Sequence, residues 1–289
     1  MKGWKRDLGL QSRMLLTMFL LAVVYLFFLA ALAYMGTSQM SMVIFMGAFM
    51  LIQYFFSDKI ALMSMGAKIV SEQQAPDLHE IITRLCALAD LPKPRVAIVN
   101  TEMPNAFATG RSQKSAVVAV TTGLMRQLNR GELEAVLAHE LTHVKNRDVM
   151  VMTIASFLST VAFFFVRYLM FFGDRRDREG GSLMVAWLVS IVVWIASYLL
   201  IQALSRYREF SADRGAAVIT GQPANLASAL MKISGVMTRI PKDDLRRVEG
   251  MNAFFIIPAS VKGSLMNLLS THPSVEQRIA ALERMQREI

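Results

Sequence analysis

Long uncharged apolar runs alternate with polar stretches along this chain. Met14 to Met35 is 22 residues without a charge and Met40 to Phe56 is 17. Val149 to Val166 is 18 more, and Leu183 to Leu204 is 22 with one late polar residue, Gln202. A helix of about 20 apolar residues crosses a hydrocarbon core of ~30 Å. Buried core helices of a soluble protein can also read this way, but four such runs in one chain predict membrane spans.

The polar stretches carry shorter periods. Pro76 to Ala89 predicts an amphipathic helix with Leu78, Ile81, Ile82, Leu85 and Leu88 on one face and Pro76 in the first turn. Arg95 to Asn100 is a β-rich run, and Ala106 to Thr109 and Ser115 to Val120 flank Gly110 as a predicted hairpin. Glu132 to Lys145 repeats Leu133, Val136, Leu137, Leu141 and Val144 at helical spacing. Helix is predicted again over Ser205 to Val218, Asn225 to Ile233 and Pro273 to Arg287, the last with Pro273 at its first position. The polar part is thus mostly helical with a small sheet.

Composition agrees with the apolar runs: 54% of the 289 residues are hydrophobic and 18% charged, against about 25% charged in an ordinary soluble domain. Cys86 is the single cysteine, so no intrachain disulfide exists, and its apolar company reads as core. The net charge of +9 suits an anionic membrane surface, because no stretch has the Lys/Arg density of a nucleic-acid groove. The 21 methionines fall mostly in the apolar runs and read as packing. Lys2, Lys5, Arg6 and Arg13 precede the first run, whereas Gly36 to Gln39 has no basic residue. The positive-inside rule therefore puts the N-terminus and everything from Ser57 onward on the inner face. Ala31-Leu32-Ala33 resembles a signal cleavage site, but the run is too long for a signal and reads as an uncleaved anchor. Arg175, Arg176 and Arg178, between the third and fourth runs, sit on the wrong side for the rule, so that hairpin either spans or re-enters.

Residues 1–56 are then an N-terminal transmembrane hairpin and 149–204 a second hydrophobic hairpin. Residues 57–148 and 205–289 are the two parts of one catalytic domain. The chemistry centres on His139-Glu140-Leu141-Thr142-His143. Positions i and i+4 share a helix face, so both imidazoles can hold one zinc ion, and Glu140 can reach a water on the metal's open side. Two exposed histidines on an ordinary helix are the plain alternative. A catalytic zinc takes three protein ligands, and the third is usually His or a carboxylate. Glu209, just after the fourth run, is the best candidate, with Asp213 one turn on to orient a ligand imidazole. Salt bridges from this pair to Arg206, Arg208 or Arg214 explain the spacing equally well. His79 falls on the polar side of its helix and reads as solvated.

The two early spans, Asn105-Ala106-Phe107-Ala108-Thr109-Gly110, the H-E-x-x-H helix, the hairpin and the E-x-x-x-D segment together resemble the HtpX family of bacterial membrane zinc metallopeptidases, relatives of the CAAX prenyl endopeptidases. The resemblance implies an integral membrane protein with about four transmembrane helices and an α+β zincin-like domain on the cytoplasmic face of the inner membrane. It implies one zinc ion held by His139, His143 and Glu209, with Glu140 as general base and Asp213 behind a ligand histidine. Asn105, Ala106, Phe107 and Ala108 would be an edge strand that takes extended substrate by strand addition. The plain alternative is an ordinary hairpin strand. His272 resembles a family histidine that would stabilise the oxyanion, with a capping or surface histidine as its alternative. The implied substrates are misfolded or damaged membrane proteins, removed under envelope stress. Rival readings are a catalytically silent zinc scaffold, which has no need of Glu140, and prenyl-peptide processing, which in the relatives uses a larger chamber of spans.

Overall fold

The structure is a computed structural model that describes residues 8–34, 39–153, 155–156, 159, 181–239, 256–257 and 272–288. Its elements are α1 (Leu8–Tyr34), α2 (Gln39–Ser64), β1 (Lys68–Ile69), α3 (Pro76–Ala89), β2 (Arg95–Val99), β3 (Ala106–Thr109) and β4 (Val117–Thr121). They continue with α4 (Thr122–Gln127), α5 (Arg130–Lys145), α6 (Gly181–Thr220), α7 (Pro223–Met237) and α8 (Val275–Glu288). The chain divides into two compact units, one mainly Phe56–Met150 with Ser205–Ile289, the other Arg6–Phe55 with Val151–Leu204.

In the second unit Leu21, Tyr25, Ala155 and Leu204 are buried together, and the Tyr25 hydroxyl donates to the Ala155 carbonyl. Many large apolar side chains of α1 and α6 point outward instead, among them Leu15, Phe19, Leu26 and Val192. Among the described residues, one helical stretch, Trp187–Thr220, is long and apolar enough to cross a bilayer by length and composition. Most of the expected Val149 to Val166 span, the Arg175 to Arg178 loop and residues 36–38 of the Gly36 to Gln39 connector lie outside the described residues.

The first unit is built on a four-stranded sheet in the order β1-β2-β4-β3. Strands β2 and β4 run parallel, while β1 and β3 are antiparallel edges. Every residue of β4 is buried, as its β-branched run and central place require. Alternation along the strands sends Ala106, Val118 and Val120 toward the helices α3, α5 and α7, and Phe107, Val117 and Ala119 toward the end of α2. The predicted β3–β4 hairpin forms, and its glycine is obligatory. Gly110 has φ of 123°, and a Cβ there would fall 2.7 Å from the Ala116 Cα.

Helix α5 starts at a capping box in which Asn129 and Glu132 exchange side-chain and backbone bonds of 2.9 Å. Glu132 also accepts from Ser228 and Lys232 and so ties α5 to α7. Ala135, Ala138, His139, Glu140 and Thr142 are buried along with the expected apolar stripe, so α5 is a central helix rather than a surface one.

Leu88, expected on the apolar face of α3, is exposed, and three further expectations need correction. Helix α8 begins at Val275, because Ser274 and Gln277 form its capping box and leave Pro273 outside. Asn225 to Ile233 is the middle of α7, which starts at Pro223 and reaches Met237. His79 is buried, not solvated, and its Nε2 lies 3.1 Å from the Val70 carbonyl oxygen. The chain entering α3 folds over its polar side, which helical spacing alone does not reveal. Cys86 is buried as expected, and burial pushes its thiol up to about 11, so it is inert packing.

Candidate metal centre

Helix α5 presents His139, Glu140 and His143 on its side facing α6 and the β3 edge. Their backbone sites follow from 3.6 residues per turn, and their burial follows from what covers them. Helix α6 brings Glu209 and Asp213, one turn apart. Gly215 permits that approach: a Cβ on it would fall 2.3 Å from the Thr142 methyl carbon of α5. Any larger residue would push the two helices apart and withdraw both carboxylates.

One ligand atom each from His139, His143 and Glu209 lie within 4.8 Å of one another. His139 Nε2 is 3.6 Å from Glu209 Oε2, and His143 Nε2 is 3.5 Å from Glu209 Oε1. The other nitrogen of each ring is committed elsewhere. His139 Nδ1 lies 3.0 Å from Asp213 Oδ1, and Nδ1–H of His143 donates to Asp148 Oδ2 at 2.5 Å. With a carboxylate beside each Nδ1, the Nε2 atoms of the neutral rings, the form that binds a metal, carry the lone pairs. Those lone pairs face each other across 3.1 Å. Two acceptors at that distance repel unless a cation lies between them. Two nitrogens held by zinc at ~2.0–2.1 Å in a tetrahedral array stand about 3.3 Å apart, so the donor set fits that ion. The surrounding carboxylates favour positive charge at this place, a proton on His139 or the metal that displaces it. Burial disfavours a charged His139, yet Asp213 and Glu209 outweigh it and raise the ring to about 9. Glu209 is also opposed by burial, but His272, His139 and Arg278 hold it well below the usual carboxylate range.

Glu140 is buried beside this set, and its carboxylate accepts from the Ala108 N–H of the edge strand. Burial lifts its carboxyl above the ordinary value, with His139 and His143 offsetting only part. A carboxylate whose burial strengthens its hold on a proton is suited to accept and return one. His272 joins the cluster from the α8 side, with Nδ1 3.2 Å from Glu209 Oε2.

The arginines that spacing offered as partners for Glu209 and Asp213 are not the ones used. Arg278 of α8 is 1% exposed and clamps Asp213 through Nε–Oδ2 at 2.8 Å and Nη2–Oδ1 at 2.6 Å. Its Nη1 donates to the Ile256 carbonyl at 2.8 Å and lies 3.3 Å from Glu209 Oε2. Asn105 closes the same network: it is fully buried, and its Oδ1 accepts from the Ile256 N–H at 3.0 Å. The Asn105 side chain therefore points into the protein, while Ala106, Phe107 and Ala108 continue along a sheet edge that has no further strand among the described residues. Sequence reading passed over Arg278, Asp148 and Gly215, each of which acts only through a partner distant in the chain or beyond a helix end.

Asp213→Ala should therefore do two things. It strands a buried guanidinium, which costs about 3–5 kcal/mol, and it frees the His139 ring, which should weaken zinc binding ~10–100-fold. Thermal unfolding and chelator competition read the two effects separately. An unaltered zinc affinity would leave Asp213 with a packing role alone.

Comparison with known proteins bears on the whole chain. Residues 72–286 match Peptidase family M48. Protease HtpX homolog 2 of Methanosarcina mazei is 72% identical over 291 residues, covering 100% of this chain and 99% of that protein. Protease HtpX homolog of Moorella thermoacetica is 60% identical, covering 98% and 96%. Among solved structures, the crystal structure of S. mikatae Ste24p superposes with a TM-score of 0.57 at 17% identity. It is matched over 91% of this chain but only 62% of its own length, so the likeness is one of fold.

Proposed function

The chain belongs to peptidase family M48, and on that premise we propose that it is a zinc-dependent membrane endopeptidase that hydrolyses misfolded or damaged membrane proteins. The observation that carries the metal assignment is the convergence of the two imidazole Nε2 atoms beside Glu209, with a carboxylate at each Nδ1. His139, His143 and Glu209 would hold the ion. Bound there, zinc would supply a Lewis acid and a water acidified toward a pKa of ~7.

The chain's own residues do the rest. An extended substrate pairs along β3, whose outer edge is free of a strand partner among the described residues. Glu140 takes the proton of the attacking water and returns it to the leaving amine, held for both steps by the Ala108 N–H. His272, anchored through Nδ1 near Glu209, donates to the substrate carbonyl oxygen as it gains charge. Burial of Glu140 and His272 excludes bulk water from the proton path.

The outward apolar side chains of α1 and α6 support lipid as their solvent. Four basic residues before the first apolar run and none in the Gly36 to Gln39 connector favour an inner-face catalytic unit and a multi-pass anchor in the cytoplasmic membrane. Two measurements test the reading. Purified protein stripped with a chelator should cleave an unfolded membrane protein only after zinc is restored. In a Cys86→Ala background, cysteines at the exposed Gln73 and Arg284 should resist an impermeant thiol reagent in intact cells and react in inverted vesicles. Opposite labelling of those two positions would put the two halves of the site on different sides of the membrane and sink the proposal.

A further inference from the structure

The geometry points to Asp148 as a positioning residue for His143, held in place by Arg208 so that the metal site depends on closing the chain around the 149–204 insertion. The inference rests on the zinc reading above and adds residues that reading does not use. Asp148 is 1% exposed, and one oxygen takes the His143 Nδ1–H at 2.5 Å. Its other oxygen lies 3.1 Å from Arg208 Nε, an ion pair whose N–H does not point along the contact. One carboxylate thus divides between an imidazole and a guanidinium.

The backbone is bent to achieve this. Helix α5 ends at Lys145, Asn146 caps it, and Arg147 takes φ of 55° before residues 148–153 turn helical again. A non-glycine residue rarely adopts that conformation, and where it does the surroundings over-determine it. In an unbroken helix a residue five positions on is rotated about 140° from its predecessor, on another face. The left-handed step at Arg147 returns Asp148 beneath His143.

The placement of the pair gives it a second consequence. Asp148 is the last residue before the apolar insertion, and Arg208 lies four residues past its end on α6. Their contact joins the chain on both sides of that insertion at the back of a metal-facing imidazole. Where the two ends part, Asp148 loses the cation that fixes it, and His143 loses the acceptor that keeps its Nε2 bare. Ligand orientation then follows the insertion's base.

Zinc affinity of the full-length protein, by competition with a chromophoric chelator, tests this, together with thermal unfolding of the metal-free protein. Asp148→Asn should lower affinity ~10–100-fold, because an amide can offer its NH2 to Nδ1 and drive the proton to Nε2. Arg208→Met should lower it by several-fold, Arg208→Lys should restore most of that, and the double variant should bind no worse than Asp148→Asn alone. The visible spectrum of the cobalt-substituted protein should shift in Asp148→Asn and not in Lys232→Ala, whose partner Glu132 caps the far end of α5. Wild-type affinity in Asp148→Asn overturns the inference, and losses that multiply in the double variant remove Arg208 from it. If Asp148→Asn does not fold, a folded Arg208→Met with unaltered affinity overturns the coupling by itself. A wild type that binds no zinc sinks the metal reading instead.

Discussion

Glu140→Gln should keep its zinc and lose peptide hydrolysis by ~10²–10⁴-fold, the range for removing a positioned general base. Glutamine preserves the volume of the side chain and can still accept from the Ala108 N–H, so the edge strand and the helix stay where they are. What it cannot do is take a proton. Glu140 is not among the three groups whose ligand atoms converge, so metal content should be indifferent to the change. The effect should fall on kcat rather than on KM, since substrate pairing along β3 does not use this carboxylate. Metal analysis beside single-turnover cleavage of an unfolded membrane substrate reads both. Full activity with zinc verified would remove Glu140 from the mechanism, and loss of the metal would make it a ligand.

That prediction was available from residue order, and the reason is local. His139, Glu140 and His143 lie within five residues of one helix, so the 3.6-residue period alone fixes their mutual placement. The β3–β4 hairpin was legible for a similar reason: Gly110 between two β-branched runs is a short-range signal. Arg278 was not legible. In sequence it is one of several arginines of an amphipathic helix, no different from Arg284 or Arg287, which are exposed. Only the packing of α8 puts it against Asp213, 65 residues away. Asp148 lies beyond the predicted helix end at Lys145, where helical period no longer says which way a side chain faces. Gly215 reads as a mild helix-weakener, and its purpose appears only when Thr142 is 2.3 Å from its missing Cβ. Asn105, read as part of the edge strand, stands just before β3, and its side chain serves the Ile256 backbone. The pattern is physical: periodicity reports which face a residue occupies and is silent on what covers that face.

Glu209→Ala should weaken zinc binding more than the ~10–100-fold loss expected for removing a group that merely orients a ligand. Two imidazoles would remain, with an acceptor lost from the third side of the set. The fold should survive better than in Asp213→Ala, because Arg278 keeps its two bonds to Asp213 and one to the Ile256 carbonyl when Glu209 is gone. That contrast separates metal loss from unfolding. In Glu209→Ala, occupancy at limiting zinc should collapse while metal-free thermal unfolding moves little; in Asp213→Ala both should move. His272 also loses its partner at 3.2 Å, so excess zinc should restore occupancy before it restores full turnover. Unchanged occupancy in Glu209→Ala at limiting zinc would send the third-ligand role elsewhere. His272, the other group within reach of the cluster, would be the next residue to replace.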